Sequence, residues 1–165
     1  MEVRSLFTFL ARWVLVVSTL NEIIERTFGT HILRIRGENR FDFVFRGDIY
    51  ASDLERMYDC ATSNFDPSAC ALVLVDMTNV GAVHPSARRL RSSTEQHHPS
   101  LVAYVGASFA LRLLSAMFFR AIQTLARRKL VVYEFLDNEA DARRWLDETK
   151  RSYEAENRDQ KPEMG

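Results

Sequence analysis

Two short stretches and one helix pattern carry residues whose types and spacing could do chemistry. Gly106-Ala107-Ser108-Phe109-Ala110 follows the apolar run Leu101–Val105 and opens a long helical pattern, which is the context of a nucleophile elbow with Ala in its last place. A hydrolase of that architecture takes its His from beyond the Ser, and His31, His84, His97 and His98 all precede Ser108. Ser108 therefore reads better as the cap of the helix it opens. Asp76 ends a second apolar run, Ala71–Val75, at the strand terminus where open α/β sheets gather ligands. Its plainer role is to hold the turn that follows. The adjacent pair His97-His98 cannot easily face one ion and no Cys/His pair has finger spacing, so no metal and no cofactor are expected.

Charge is more informative than these motifs. The 22 basic and 22 acidic side chains cancel, which removes the whole-chain argument for a nucleic-acid partner. Locally the balance fails: between Glu95 and Glu134 there is no acid, while Arg112, Arg120, Arg127, Arg128 and Lys129 are present and Arg88, Arg89 and Arg91 lie just upstream. At about 100° per residue Arg112, Arg120 and Arg127 share one side of their helix, opposite Leu111, Leu114, Phe118, Ile122 and Leu125. A solvated face is the plain reading, with the last three basic residues favoured by the helix C-terminal dipole. The functional reading is attraction of an anionic partner, a lipid headgroup or an acidic protein surface. Phe109, Leu113 and Phe119 flank the Arg stripe outside the core arc, so they are expected to meet the N-terminal segment, a second subunit or a ligand.

The elements that must position these groups alternate along the chain. Ile32, Leu33 and Ile35 form a short β-branched run; Phe41, Phe43 and Phe45 alternate with Asp42, Val44 and Arg46, the period of a half-buried strand expected nearer a sheet edge. Gly37-Glu38-Asn39-Arg40 between them reads as a hairpin turn. Ser52 or Asp53 is expected to cap a helix whose face is Leu54, Met57, Tyr58 and Ala61. The runs Ala71–Val75, Leu101–Val105 and Leu130–Phe135 are expected side by side in the buried middle of the sheet. Pro85 suits a helix first turn continuing to Gln96, and Asp137 to Lys150 reads as a last helix with Trp145 and Leu146 inward. These elements predict an α/β fold: a mixed sheet of about five strands with about four helices against it.

Residues 1–29 form an apolar extension, an accessory helix or strand ending at Gly29. Its run Leu6–Leu20 is 15 residues long and contains Arg12, too short and too costly for a span of about 20 apolar residues. Docking through Phe7, Leu10, Val14 and Val17 against the helix from Ser108 to Arg127 is preferred; self-association and a peripheral membrane contact are the alternatives. Residues 151–165 are charged and expected to be disordered. Cys60 and Cys70 supply no disulfide framework, so the default setting is reducing and cytoplasmic.

The strands Ala71–Val80 and Val102–Gly106, with the ending Val132-Tyr133-Glu134-Phe135, Glu139-Ala140 and Trp145-Leu146, resemble the SpoIIAA-like branch of STAS/SEC14 domains over residues 30–150. The resemblance implies a small cytoplasmic module, related to anti-sigma-factor antagonists or to domains that bind small or lipidic ligands. The antagonists carry an Asp-Ser-Ser/Thr-Gly element whose first hydroxyl is phosphorylated. Here the matching stretch is His84-Pro85-Ser86-Ala87, with Pro where that hydroxyl would be, so no such switch is expected.

The sequence thus favours a noncatalytic STAS-like binding or regulatory module for an apolar or anionic small ligand or a protein partner, including a second copy. Its expected contacts are Asp76, Asn79, His84 and Ser86 on one side and Gly106, Ser108, Phe109, Arg112, Leu113, Phe119 and Arg120 on the other. The alternative is a small α/β enzyme using the crevice near Asp76 and Gly106–Ser108.

Overall fold

The computed structural model describes residues 23–37, 39–87, 99–113, 115–117 and 131–159, with residues 157–159 described by backbone alone. Expectations placed on residues 1–22, 38, 88–98, 114, 118–130 and 160–165 lie outside the described residues. The sheet has six strands rather than five: β1 (Ile23–Phe28), β2 (His31–Arg36), β3 (Arg40–Ile49), β4 (Ala71–Val83), β5 (Ser100–Val105) and β6 (Val131–Leu136). They lie in chain order, with β1-β2-β3 antiparallel and β3-β4-β5-β6 parallel. The additional strand is β1, inside the stretch read as an accessory extension. Gly29, at φ +61°, does not end a helix there; with Thr30 it makes the two-residue loop that brings Phe28 opposite His31.

Right-handed crossovers that always step to the next strand must put the connecting helices on one face. The packing agrees. Helix α1 (Ala51–Thr62) sends Leu54, Met57 and Ala61 into a core with Phe41, Phe43, Phe45, Val75, Val102 and Tyr104, and Ala87, Ala107 and Leu111 join the same core. The final helix, α2 (Glu139–Asp159), covers the other face, where Ala142 and Leu146 pack on Leu72, Leu74, Leu101 and Ala103 with Trp145 beside them.

Several expectations change on this frame. β3 is interior, not near an edge, and the alternating polar position Asp42 is 3% exposed because α2 and β2 close over it. Arg36 Nε donates to Asp42 Oδ2 at 2.6 Å and Arg143 Nη2 to the same oxygen at 2.8 Å, so the buried carboxylate is paired from both sides. Burial works against the charge on Arg143, but its hydrogen bonds to Asp42 and Glu139 outweigh that and hold its pKa above the ordinary value. Conversely β6, expected in the middle of the sheet, is an edge strand, with Val132 37% exposed and Glu134 turned to solvent.

The caps also differ. Helix α1 begins at Ala51 with Tyr50 as its N-cap and no side-chain capping bond, leaving Ser52 and Asp53 in the first turn. Asp53 Oδ2 lies 3.8 Å from Nε2 of His31, a buried histidine whose Nδ1 accepts the Arg46 amide at 3.1 Å. Helix α2 starts instead with a side-chain cap: Asn138 Oδ1 accepts the Asp141 amide at 2.9 Å. It runs to Asp159, past Lys150 and into the stretch expected to be disordered. No Gly or Pro interrupts those turns, and pairs such as Lys150–Glu154 at 3.6 Å support them. Cys60 and Cys70 are free, and burial pushes the Cys70 thiol up to about 11.

Candidate functional site

The C-terminal ends of the parallel strands gather the residues that carry chemistry, and one close approach joins their two halves. Asp76 pairs in register with Val105, the last residue of β5, after which β4 continues against β3 alone, with register shifts, to Val83. Gly106 then turns the chain at φ +69° directly over Thr78. A Cβ on Gly106 would stand 2.6 Å from Thr78 Cα and 2.7 Å from its nitrogen, besides meeting its hydroxyl. Glycine is required here by backbone crowding and by the left-handed φ. That requirement accounts for the Gly of the elbow-like sequence without invoking a nucleophile.

The two reactive-looking side chains near this crossing are both taken by neighbouring backbone. Asp76 Oδ1 accepts the Thr78 amide at 2.9 Å. Ser108 Oγ accepts the Leu111 amide at 3.4 Å while the Ser108 carbonyl accepts the Arg112 amide at 2.9 Å, the arrangement of a helix N-cap. Thr78 and Asn79 are exposed, and Asn79 faces Arg46 in the β3 register.

His84 and Ser86 form a separate cluster at the end of β4. The His84 ring lies on Tyr50 at 5.3 Å between centroids, its Nδ1 is 2.9 Å from Ser86 Oγ, and its amide donates to Ile49 at 2.9 Å. Residues 85–87 are helical, so the imidazole serves the first turn of that helix, and Pro85 stands inside it. This exposed pair lies on the α1 side of the strand ends and shares no hydrogen bond with Asp76 or Ser108, whose bonds are the local ones just described.

Beyond Ser108 the chain is helical over residues 109–113 and 115–117. Leu111 packs on the core and Ser115 is buried, so the side facing the sheet is fixed. On the opposite side, at successive turns, stand Phe109, Leu113 and Met117, exposed by 81%, 53% and 65%. Met117 was not singled out by the sequence reading; its signal is the four-residue spacing after Leu113. Arg112, expected on a solvated stripe, is instead engaged. Its Nε donates to the Ala107 carbonyl at 3.0 Å, its guanidinium lies 5.8 Å from the Phe135 ring centroid, and Asp137 Oδ1 is 3.8 Å from Nη2. Phe119 and Arg120 lie outside the described residues.

No group of His, Cys, Asp and Glu among the described residues has the arrangement of a metal site. No helix among them is long and apolar enough to cross a membrane.

No protein-family model and no curated protein matches the chain. Among solved structures, the chain is similar to an uncharacterised DUF3478-family protein with a SpoIIAA-like fold from Shewanella loihica PV-4. The identity is 18%, the match covers 76% of this chain and 92% of that one, and the TM-score is 0.43. Its fold name is the one the sequence resemblance gave. At that identity and score no residue role passes from one chain to the other.

Proposed function

We propose that this chain is a noncatalytic STAS-like binding or regulatory module that holds an apolar or anionic small ligand, or a partner protein, on the helix after β5. The observation that carries the reading is the row of Phe109, Leu113 and Met117 standing in solvent on the side away from the sheet. Contiguous large apolar side chains on a soluble domain mark contact surfaces. The enzyme alternative receives less support, because Asp76 and Ser108 each accept a hydrogen bond from a nearby backbone amide. The setting that goes with the reading is cytoplasmic, supported by two cysteines that remain free.

Anilinonaphthalene sulfonate, an apolar anion, tests it. The full chain is expected to bind the dye, and the double variant Phe109→Ser/Leu113→Ser to bind it about tenfold more weakly, since two side chains leave the contact. Unchanged dye binding by a variant that folds would overturn the proposal. An esterase signal on generic esters that disappears in Ser108→Ala would bring the enzyme reading forward instead.

A further inference from the structure

We infer that His31 is a buried proton switch: neutral, it holds the end of β3 by one hydrogen bond; charged, with Asp53 as its counter-ion, it lets that end go. The imidazole is 1% exposed, and its two nitrogens face different partners. A backbone amide can only donate, so Nδ1, which accepts the Arg46 N–H at 3.1 Å, carries no proton. The single proton of the neutral ring therefore sits on Nε2. That nitrogen faces Asp53 Oδ2 at 3.8 Å, while the ring stands T-shaped against Phe45 with centroids 5.5 Å apart.

A second proton can enter only at Nδ1. There it meets the Arg46 N–H, donor against donor, and an imidazolium has no acceptor left to offer. The charges around the ring decide how the conflict resolves. From α1, the Asp53 carboxylate favours the charged ring, while the positive end of the helix dipole and Arg56 oppose it; the Arg56 guanidinium lies 5.4 Å from the ring centroid of Phe28, the cross-strand neighbour of His31. From β1, Arg26 is on the same sheet face, opposite Leu33, with its guanidinium turned to the Glu25 carbonyl at 3.3 Å. β3 brings the Arg46 amide, and the side chain of that residue is exposed. Asp53 can hold the charge but cannot replace the lost acceptor, because it faces the other nitrogen. The Arg46 amide must then turn to water, and the strand moves with it.

Arg46 is a junction. The pairing of β3 with β4 shifts register between Val44 and Arg46 and again between Gly47 and Ile49. The Arg46 carbonyl accepts from Thr30 Oγ1 at 2.5 Å, which ties the β1–β2 turn to the same residue. Arg46 stands opposite Asn79, and two residues on Asp48 Oδ1 accepts the Ala82 amide at 2.7 Å. A bulged ladder opens more readily than a regular one. Protonation of His31 therefore loosens the end of β3 and residues 79–82 of β4, and leaves the regular pairs from Arg40–Leu72 to Val44–Asp76 in place.

Amide hydrogen exchange of the full chain, read by NMR as protection factors at about pH 7.5 and about pH 5.0, spans the range in which imidazole changes charge and tests this. Protection at Arg46 and Ala82 is expected to fall about tenfold, the scale of one lost hydrogen bond, while Leu72, whose amide donates to the Asn39 carbonyl, keeps its protection. Long-range proton–nitrogen spectra are expected to show His31 protonated on Nε2 alone at the higher pH and on both nitrogens at the lower. His31→Asn supplies an oxygen that accepts the Arg46 amide and takes no proton, so its protection is expected not to change with pH. Asp53→Asn leaves the ring in place and is expected to retain more of the Arg46 protection at the lower pH. Protection at Arg46 that does not change with pH in the parent, or a proton on Nδ1 at the higher pH, would overturn the proposal. So would a fall as large as the parent's in either variant, or a fall at Leu72 equal to that at Arg46, since the effect of acid would then lie elsewhere in the chain.

Discussion

Helix α2 and the helix that opens at residue 109 lie on opposite faces of one sheet, and they finish their outer surfaces differently. Helix α2 buries apolar side chains and turns charged ones outward. Ala142 and Leu146 fill the sheet face, Arg143 reaches inward to Asp42 and sideways to Glu139, Arg40 pairs with Asp147, and Arg144 with Asp141 at 3.0 Å. The other helix satisfies its entrance through Ser108 and its inner side through Leu111 and Ser115, then leaves Phe109, Leu113 and Met117 outward. Charged residues facing water cost a helix little, whereas large apolar ones facing water forfeit burial of roughly 1.5–3 kcal/mol each. Where a fold forgoes that much along one row, the row is available for contact, and α2 is the internal control showing how the same sheet is covered when it is not.

Three substitutions sharpen or break this contrast. Leu146→Ala removes a side chain buried against Leu72 and Leu101 and is expected to cost about 3 kcal/mol, lowering the melting temperature by roughly 6–12 °C for a chain of this size. Asp42→Asn comes next. It leaves Arg36 and Arg143 without their carboxylate, and because both guanidinium side chains are about one-third exposed the loss is expected near 2 kcal/mol rather than the full cost of an orphaned buried charge. Urea denaturation reads it, and a variant as stable as the parent would mean that α2 is held by its apolar face alone. Leu113→Ser has the smallest expected effect on stability, within about 0.5 kcal/mol, as for a surface position. If it cost as much as Leu146→Ala, Leu113 would be packed in solution and the difference between the two helices would vanish.

β3 shows why sequence pattern alone misplaced some elements. Phe41-Asp42-Phe43-Val44-Phe45 has the alternation of a strand with one wet face, and Asp42 was read as facing solvent. Alternation reports which side chains share a face. It cannot report that a helix nearly a hundred residues later will bring Arg143 over that face and pair the carboxylate. The same limitation runs the other way at β6, where Val131-Val132-Tyr133 reads as a buried core strand but occupies an edge because no seventh strand follows among the described residues. For β1, the Gly29 signal was present and its meaning was not: a residue at positive φ suits a helix end and a hairpin turn equally.

What the sequence determined by itself is local and periodic. The three apolar runs became β4, β5 and β6; Leu54, Met57 and Ala61 fell on the inner face of α1; Leu111 turned inward with Phe109 and Leu113 opposite; and Ser108 capped its helix. Side-chain period and capping chemistry act within a few residues, so they are legible there. The order of strands, the burial of Asp42 between two arginines, the capture of Arg112 by Phe135, and the need for glycine where the chain crosses Thr78 were decided only by the tertiary structure. Each depends on groups distant in sequence meeting in space, where desolvation and close packing set energies that no local spacing encodes.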